Sequence, residues 1–215
     1  MPDYTLLPIF PLPIVVFPGE EVRLHIFEPR YKQLIQDCLE SGIVFVILPV
    51  IQSQIMPLGP LLKLIECSKL YSDGNMDIRL QCLSKMSLKK IINPFPGKMY
   101  GGADMVELKD EFTESETPLH EKVKNLFEQL CQLNHARPFH AIDWSQFQSY
   151  SLGHYVGFSI QQEYEFLCLK SEEERLQKLQ QQITYMIQLN KPKREWLKRL
   201  QLNGEFLRFN PADWV

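Results

Sequence analysis

Hydrophobic and polar positions in the first 42 residues change from a strand period to a helix period. Two short apolar runs come first, at residues 6–10 and 14–17, and each is followed by a proline. Proline donates no backbone hydrogen bond, so both runs predict short strands at an edge or a rim. Val22, Leu24 and Ile26 then alternate with polar residues, which predicts a half-buried strand.

A helix is predicted directly after this strand. Its apolar residues recur at the spacing of one helix face, namely Tyr31, Leu34, Ile35, Cys38 and Leu39. Pro29 lies where a helix tolerates proline, in the first turn, and Glu28 complements the positive end of the helix dipole. Gly42 suits the left-handed residue that closes a helix. The opening of the chain is therefore predicted to be three short strands followed by one helix.

Short strands continue to about residue 108. The apolar runs and alternating stretches that predict them are Ile43–Val50, Leu61–Tyr71, Met76–Cys82, Met86–Ile92 and Lys98–Leu108. Ser72-Asp73-Gly74-Asn75 is a strong turn signal. Gly101-Gly102 suggests a bulge or bend in the last strand. About seven short strands with regular turns favour a closed or half-closed barrel.

The composition changes near residue 110. The stretch KDEFTESETP is acidic and lacks an apolar period, and the chain beyond it has a helical pattern. Thr117-Pro118 predicts a helix start, and Ser171 with Glu174 forms the pattern of a capping box before a long helix. A weakly patterned helix over residues 144–155 and a last turn after Pro192 are also predicted. The sequence thus predicts a β-rich domain over residues 1–112 and a helical domain over residues 113–215.

One string in the first part resembles a known family. FPLPIVVFPGEEVRLHIFEPRYKQLIQDCLESG is similar to the start of the Lon substrate-binding domain, the N-terminal domain of the ATP-dependent Lon protease, which also occurs as a free-standing protein. The hairpin around Asp73-Gly74 and the segment SIQQEYEFLCLKSEEERLQKL resemble two further parts of that domain. The resemblance covers residues 5 to about 189. The family-signature residues, which we expect to be structural, are Phe10, Pro11, Phe17, Pro18, Gly19, His25, Phe27 and Tyr31.

The resemblance implies an α+β fold. Its first part would be a PUA-like β pseudo-barrel with one packed helix, and its second part a C-terminal helical bundle. The implied function is non-catalytic binding of polypeptides, as an adaptor or substrate-recognition factor in protein quality control. The implied partners are unfolded or degron-bearing polypeptides and a protease.

Composition and charge exclude other classes. Hydrophobic residues make up 45% of the chain and charged residues 23%, as in ordinary globular proteins. A net charge of −3 gives no electrostatic footprint for nucleic acid. The five cysteines are scattered and odd in number, which favours reduced thiols. The first residues lack a basic signal region, and the longest apolar run has nine residues, so we expect a cytoplasmic protein with no membrane segment.

Motifs for catalysis or cofactor binding are missing from the sequence. We find no phosphate-binding P-loop, no G-x-S-x-G elbow, no H-E-x-x-H helix and no segment that resembles the Lon Ser–Lys peptidase domain. Ser68-Lys69 and Ser84-Lys85 are adjacent pairs, but neighbouring strand residues point to opposite faces. His135 and His140 have a spacing found at metal sites without further ligands in register. We therefore expect no enzyme, no cofactor and no metal.

Two interpretations remain open for the charged residues of the signature. His25 could act catalytically if a nucleophile or carboxylate met it, or it could bridge backbone groups where the strand meets the helix. Glu28 and Arg30 could form the polar rim of a peptide groove, or Glu28 could cap the helix while Arg30 reaches carbonyls or a carboxylate. The candidate substrate-binding residues are Glu28, Arg30, Lys32 and Gln33.

Three functions are compatible with this sequence. The first is polypeptide binding, through exposed apolar residues near Pro11–Pro18 or in the Gln52–Pro60 loop. The second is RNA binding, since other PUA-like barrels bind RNA, although the chain is acidic and lacks a basic aromatic stripe. The third is an unrecognised hydrolase, but we find no set of catalytic residues in the sequence that supports it.

Overall fold

The structure is a computed structural model, and it describes residues 4–111, 117–133 and 147–189. Several predicted features lie outside these residues. They are half of the acidic linker (residues 112–116), the start of the helix predicted from residue 144, His135 and His140, and the whole segment after residue 189. The described chain forms two compact units, a β-rich one ending at Lys109 and a helical one starting at Asp110. The prediction of an α+β chain is confirmed.

The β-rich unit contains seven strands and one helix in the described residues. In chain order they are β1 (Thr5–Leu12), β2 (Glu21–Ile26), α1 (Pro29–Ser41), β3 (Phe45–Ile51), β4 (Gln54–Ile55), β5 (Leu58–Leu70), β6 (Met76–Ile92) and β7 (Gly102–Leu108). The strands pair in the order β1-β7-β6-β5-β3-β4, and β2 pairs with β6. β1 also pairs with β3 in parallel, so the ladder returns to its first strand. All other pairings are antiparallel.

The helix α1 has the ends and the buried face that its sequence predicts. Tyr31, Leu34, Ile35 and Cys38 are buried, whereas Leu39, predicted on the same face, is 50% exposed. Gly42 adopts φ 64°, and its N–H donates to the carbonyl of Cys38, which closes the helix. The left-handed conformation explains glycine here. The buried face packs on strand residues that include Phe10, Ile26 and Ile78.

Three strand predictions are corrected. Residues 14–17 are not a strand, although their side chains are buried; Pro13 and Pro18 bracket the segment and offer no N–H for a ladder. Met76–Cys82 and Met86–Ile92 belong to one 17-residue strand. Leu83 and Lys89 form β-bulges, and pairing with the neighbouring strands continues beyond each of them. The Gln52–Pro60 loop includes β4 and the start of β5.

The helical unit contains three α-helices and one 3₁₀ helix among its described residues. They are α2 (Pro118–Leu133), the 3₁₀ helix Ser149–Leu152, α3 (Ile160–Cys168) and α4 (Glu172–Leu189). The predicted capping box is confirmed, since the N–H of Glu174 donates to Ser171 Oγ and the N–H of Ser171 donates to Glu174 Oε2. A second capping box, formed by Ser159 and Gln162, opens α3. The buried apolar residues of α4 are Leu176, Leu179, Ile183 and Met186.

A buried ionic network ties this unit together. Arg175 is 4% exposed and donates to Glu172, to Ser149 Oγ and to the hydroxyl of Tyr150. Its guanidinium also lies 4.3 Å from the centre of the Tyr150 ring and 3.3 Å from Asp110. One cation thus joins α4, the 3₁₀ helix and the residue at the start of the unit.

Candidate functional site

Two polar side chains meet at one end of the β-rich unit. β2 and β6 pair so that His25 lies directly opposite Asp77. Nδ1 of His25 is 2.6 Å from Oδ1 of Asp77, and the hydroxyl of Tyr71 donates to Oδ2 at 2.7 Å. Burial alone would raise the pKa of Asp77, but the hydrogen bonds from His25 and Tyr71 outweigh it and lower that pKa. The carboxylate is therefore held in its charged form.

Aromatic groups contact this pair, and an exposed leucine ends the neighbouring strand. The His25 ring contacts Tyr71 edge-on at 5.5 Å between centroids and is stacked with Phe27 at 6.4 Å. Lys69 Nζ lies 4.3 Å from the centre of the Tyr71 ring. Leu70 is 70% exposed, more than any other large hydrophobic residue that the structure describes. We call His25, Phe27, Leu70, Tyr71 and Asp77 the hairpin-tip cluster, because they adjoin the turn between β5 and β6.

The strand register fixes how far apart the apolar members lie. Ile26 is opposite Met76, and Met76 is opposite Leu70. Phe27 follows Ile26, so it and Leu70 lie at the same end of three adjacent strands. Two strand spacings separate their strands, about 10 Å. Directly opposed residues of antiparallel strands share a face, so Leu70 lies on the face of Met76, whereas Phe27 lies beside His25 on the face of Asp77. The cluster therefore presents an exposed aliphatic side chain and a half-buried aromatic one at the same strand ends, on opposite faces of the sheet.

The first turn of α1 adjoins the same hairpin. Lys32 Nζ donates to the carbonyl of Asp73, in the turn itself, at 3.2 Å. Arg30 donates to Glu28 at 2.8 Å and lies 4.6 Å from the centre of the Tyr31 ring. Glu28 occupies the N-cap position but makes no side-chain cap hydrogen bond, which corrects the capping interpretation. Arg30 keeps 49% of its side chain exposed.

Gln33 has a different environment from the other three candidate residues. Its Oε1 accepts from the N–H of Met99 at 2.7 Å. One turn further along α1, Asp37 accepts from Lys98 at 2.9 Å and from Tyr100 at 2.6 Å. Burial would raise the pKa of Asp37, but the Tyr100 and Lys98 hydrogen bonds lower it. Gln33 and Asp37 thus fasten the loop before β7 to α1, on a separate part of the helix surface.

The outer edge of β5 leads to the cluster. β3 covers β5 only at Leu61 and Leu62, so in the described part of the chain residues 63–70 pair with β6 alone. Ile65 and Ser68 are bulged residues with no partner position on β6. Ile65 is 40% exposed. A segment of eight residues thus offers backbone groups on one side, with exposed apolar side chains at Ile65 and Leu70.

The signature aromatic residues lie mainly in the core. Phe10, Phe17 and Tyr31 are at most 5% exposed, and the rings of Phe10 and Tyr31 stack at 3.8 Å. Pro11 and Pro18 are half-buried, and Gly19 has φ 85°. The expectation of exposed apolar residues near Pro11–Pro18 is wrong, because Leu12 and residues 14–17 are buried. Within the Gln52–Pro60 loop, Ile55 is 41% exposed.

His25 corrects one sequence-based interpretation. Its imidazole pairs with a carboxylate and does not bridge backbone groups. The alternation of β2 and β6 placed His25 and Asp77 on polar faces, but sequence alone did not give the register that joins them. Leu70 and Tyr71 were missed as site residues because they were counted only as part of a strand. The signal available was the strong turn that directly follows them.

The Ser–Lys pairs do not form a dyad in this geometry. Ser68 Oγ donates to the backbone carbonyl of Asp77, whereas Lys69 lies over the Tyr71 ring. Lys85 is buried and Ser84 is half-buried in the middle of β6. Among the described residues, no group of three His, Cys, Asp or Glu side chains is arranged to hold a metal. Nor is any helix in those residues long and apolar enough to cross a membrane.

Comparisons with known proteins agree with this architecture. Residues 6–184 match the family described as the ATP-dependent protease La (LON) substrate-binding domain. The comparison with curated proteins gives no match. A Lon N-terminal domain protein from Xanthomonas campestris has a TM-score of 0.65 and 21% identity, over 81% of this chain and 96% of that one. The N-terminal domain of a Mycobacterium avium complex Lon protease has a TM-score of 0.63 and 13% identity, over 84% and 98%. At these identities the structural likenesses show the fold.

Proposed function

The chain belongs to the family of Lon substrate-binding domains, and on that premise we propose that it binds polypeptides through the hairpin-tip cluster. Membership of the family supports a polypeptide-binding module in general. The observation that carries the choice of surface is the 70% exposure of Leu70 at the end of β5, next in the chain to Tyr71, whose ring contacts His25. Binding surfaces commonly combine an apolar anchor with a polar surround.

The edge of β5 supplies a second means of holding an extended chain. An unpaired strand edge can add a peptide strand by main-chain hydrogen bonds, which do not depend on the peptide's sequence. Unfolded polypeptides of many sequences could be held in this way. The unpaired edge of residues 63–70 ends at Leu70, so a peptide strand bound along this edge would reach the exposed Leu70 side chain.

The candidate residues of the α1 region then differ in role: Arg30 and its partner Glu28 would face the substrate, whereas Lys32 and Gln33 would hold neighbouring loops in place. Arg30, half-exposed and already neutralised by Glu28, would form the polar rim of the binding surface. Lys32 would position the β5–β6 turn through its bond to Asp73. Gln33 contacts Met99 and would act only through the loop before β7. A substrate would therefore meet Arg30 before the other three.

We further propose that the protein is a non-catalytic adaptor or substrate-recognition factor in the cytoplasm, working in protein quality control. Its clients would be unfolded or degron-bearing polypeptides passed to a protease. The return of the strand ladder to β1 favours a PUA-like pseudo-barrel for the first subdomain, and the pairing of α2 with α4 favours a helical bundle for the second. The RNA-binding alternative has no supporting observation.

The experiment is a titration of a fluorescein-labelled, permanently unfolded polypeptide, such as reduced and carboxymethylated α-lactalbumin, followed by anisotropy. Leu70→Ser should weaken binding about tenfold, because burial of one leucine side chain contributes about 1.5 kcal/mol. Leu83→Ser is the matched control, since Leu83 is also exposed (48%) but lies seven residues along β6 from the hairpin end. Equal affinity of the wild type and Leu70→Ser, with both folded by circular dichroism, would refute the proposal.

A further inference from the structure

The polar face of β2 carries a cation without a partner in the described structure. Arg23 lies directly opposite Arg79 in the β2–β6 ladder, a like-charge pair that is unfavourable by itself. Arg79 is compensated, because Glu21 and Glu66 lie 3.6 Å and 3.4 Å from its guanidinium. Arg23 is exposed and forms no ion pair or hydrogen bond with any described residue. Its five N–H donors are therefore open to a ligand.

His25 follows two positions later on the same face. Asp77 engages Nδ1, which holds the ring in one orientation. Nε2 has no hydrogen-bond partner among the described residues, and 23% of the side chain is exposed. In the imidazolium form both ring nitrogens donate, so Nε2 would then be a free donor. Arg23 and His25 are thus about 7 Å apart along β2, and Phe27, just beyond the strand, has its ring 6.4 Å from that of His25.

The carboxylates near Arg23 and His25 already have other partners, so these two side chains keep N–H donors that no nearby carboxylate uses. Glu21 and Glu66 are engaged by Arg79, and Asp77 is engaged by His25 and Tyr71. The remaining nearby cation, Lys69, lies over the Tyr71 ring. Each anion of this face thus already has a partner on it. A further anion would find donors and no uncompensated carboxylate.

We propose that Arg23 and His25 form a carboxylate-binding site that selects acidic polypeptides. The inference rests on the proposed function and specifies its substrates: extended chains with an acidic group close to an apolar residue. The carboxylate would contact Arg23 and Nε2 of His25, while the apolar residue meets Phe27 beside His25. The carboxylate belongs either to an Asp or Glu side chain or to the C-terminus of the bound chain. Guanidinium groups bind both with two parallel hydrogen bonds.

Three labelled peptides that share one leucine-containing sequence test this site. The first has an internal Glu and an amidated C-terminus, the second has Gln in place of Glu, and the third has Gln with a free C-terminus. The wild type should bind one of the two acidic peptides about tenfold more tightly than the neutral peptide, and the peptide preferred identifies the source of the carboxylate. Arg23→Gln and His25→Gln should each reduce that preference to about twofold or less. Arg23 is not part of the hairpin-tip cluster, so Arg23→Gln should bind the neutral peptide with the wild-type affinity.

Lys89→Gln removes an equal charge elsewhere on the β-rich unit and should keep the full preference. Equal wild-type affinity for all three peptides would overturn the carboxylate site, as would a preference that survives in Arg23→Gln. In both cases the proposed function stands if binding of the neutral peptide still requires Leu70. Failure of the wild type to bind any peptide or the unfolded polypeptide would overturn both proposals.

Discussion

Nδ1 of His25 lies 2.6 Å from Oδ1 of Asp77, a residue 52 positions further along the chain. The contact exists because β2 and β6 pair without a register shift from Glu21 to Ile26. Tyr71 completes the carboxylate's hydrogen bonding from the end of the neighbouring strand β5. The most distinctive part of the signature is thus joined to the β5–β6 hairpin by a charged side chain that is 8% exposed.

Replacing Asp77 by Asn should lower stability at pH 7 by about 2 kcal/mol, since hydrogen bonds to a buried charged group are lost. The pKa of Asp77 is lowered by folding. Its ionised form therefore stabilises the fold fully above the ordinary carboxyl pKa near 3.8, and this contribution is lost as the pH falls through the lower native value. The difference between wild type and Asp77→Asn should shrink as the pH falls below about 4.

Urea unfolding at pH 7, 5 and 3 measures this difference. Asp104→Asn provides the control, because Asp104 is a half-buried aspartate of β7 whose carboxylate forms no hydrogen bond or ion pair with any residue that the structure describes. It should change stability by less than about 0.5 kcal/mol at each pH. A loss in Asp77→Asn that is the same at pH 7 and pH 3 contradicts the expected ionisation.

Arg175→Met should destabilise the helical unit by about 3 kcal/mol, because Glu172 and Asp110 would lose the cation that lies between them. Lys178→Met, in the next turn of α4, is the control. Lys178 pairs with Glu165 at 3.7 Å with both side chains well exposed, so its loss should cost less than about 0.5 kcal/mol. The two variants are compared by their urea midpoints; similar midpoints would argue against the network.

Thiol labelling should separate the cysteines by burial. Burial raises the pKa of Cys38 and Cys82 to about 12 and that of Cys131 to about 11. Thiolate is the reactive form, so these three should resist iodoacetamide at pH 8 in the native protein. Cys168 is exposed and should be alkylated first. Peptide mapping by mass spectrometry, with a sample unfolded in guanidinium as the reference, tests the order; early labelling of Cys38 would contradict the packing of α1.

Gly59→Ala should lower stability by about 3 kcal/mol. A Cβ at Gly59 would collide with the backbone carbonyl oxygen of Ile47 on β3, so two paired strands would have to separate. Gly101→Ala is the matched control, since its Cβ would meet Ile9 and Asn93 at an ordinary 3.5 Å. Thermal unfolding of both variants gives the comparison, and a Gly59→Ala protein as stable as Gly101→Ala would show that the strands are not so close.

Local features could be predicted from the sequence, and register could not. The ends and buried face of α1 follow from Pro29, Gly42 and a helical spacing, all within fourteen residues of sequence. The capping box at Ser171 is equally local. By contrast, β6 is one continuous strand only because Leu83 and Lys89 form bulges. Whether pairing continues past these bulges depends on the neighbouring strands β5 and β7, which lie elsewhere in the sequence.

The candidate site shows the same division more sharply. His25 was recognised as part of a distinctive string, but its partner depends on a contact 52 positions away. Leu70 looks like any strand leucine until the position of the hairpin end is known. Apolar residues 14–17 were expected at the surface because prolines suggest an edge, yet burial of their side chains prevailed. Sequence periodicity describes which side of a strand is apolar, and it cannot say which strands lie beside it.

The double pairing of β1 has a consequence for biosynthesis. Ile9–Leu12 pair with β3, at residues 46–49, whereas Thr5–Pro8 pair with β7, at residues 102–105. At about 5–20 residues per second, a ribosome would need about 5–20 s to make the residues between these partners. During that interval residues 5–8, including apolar Leu6 and Leu7, lack their final strand. β1 is thus made before the other strands of its unit but is among the last to be completed, and that is the stage at which a chaperone would have most to protect.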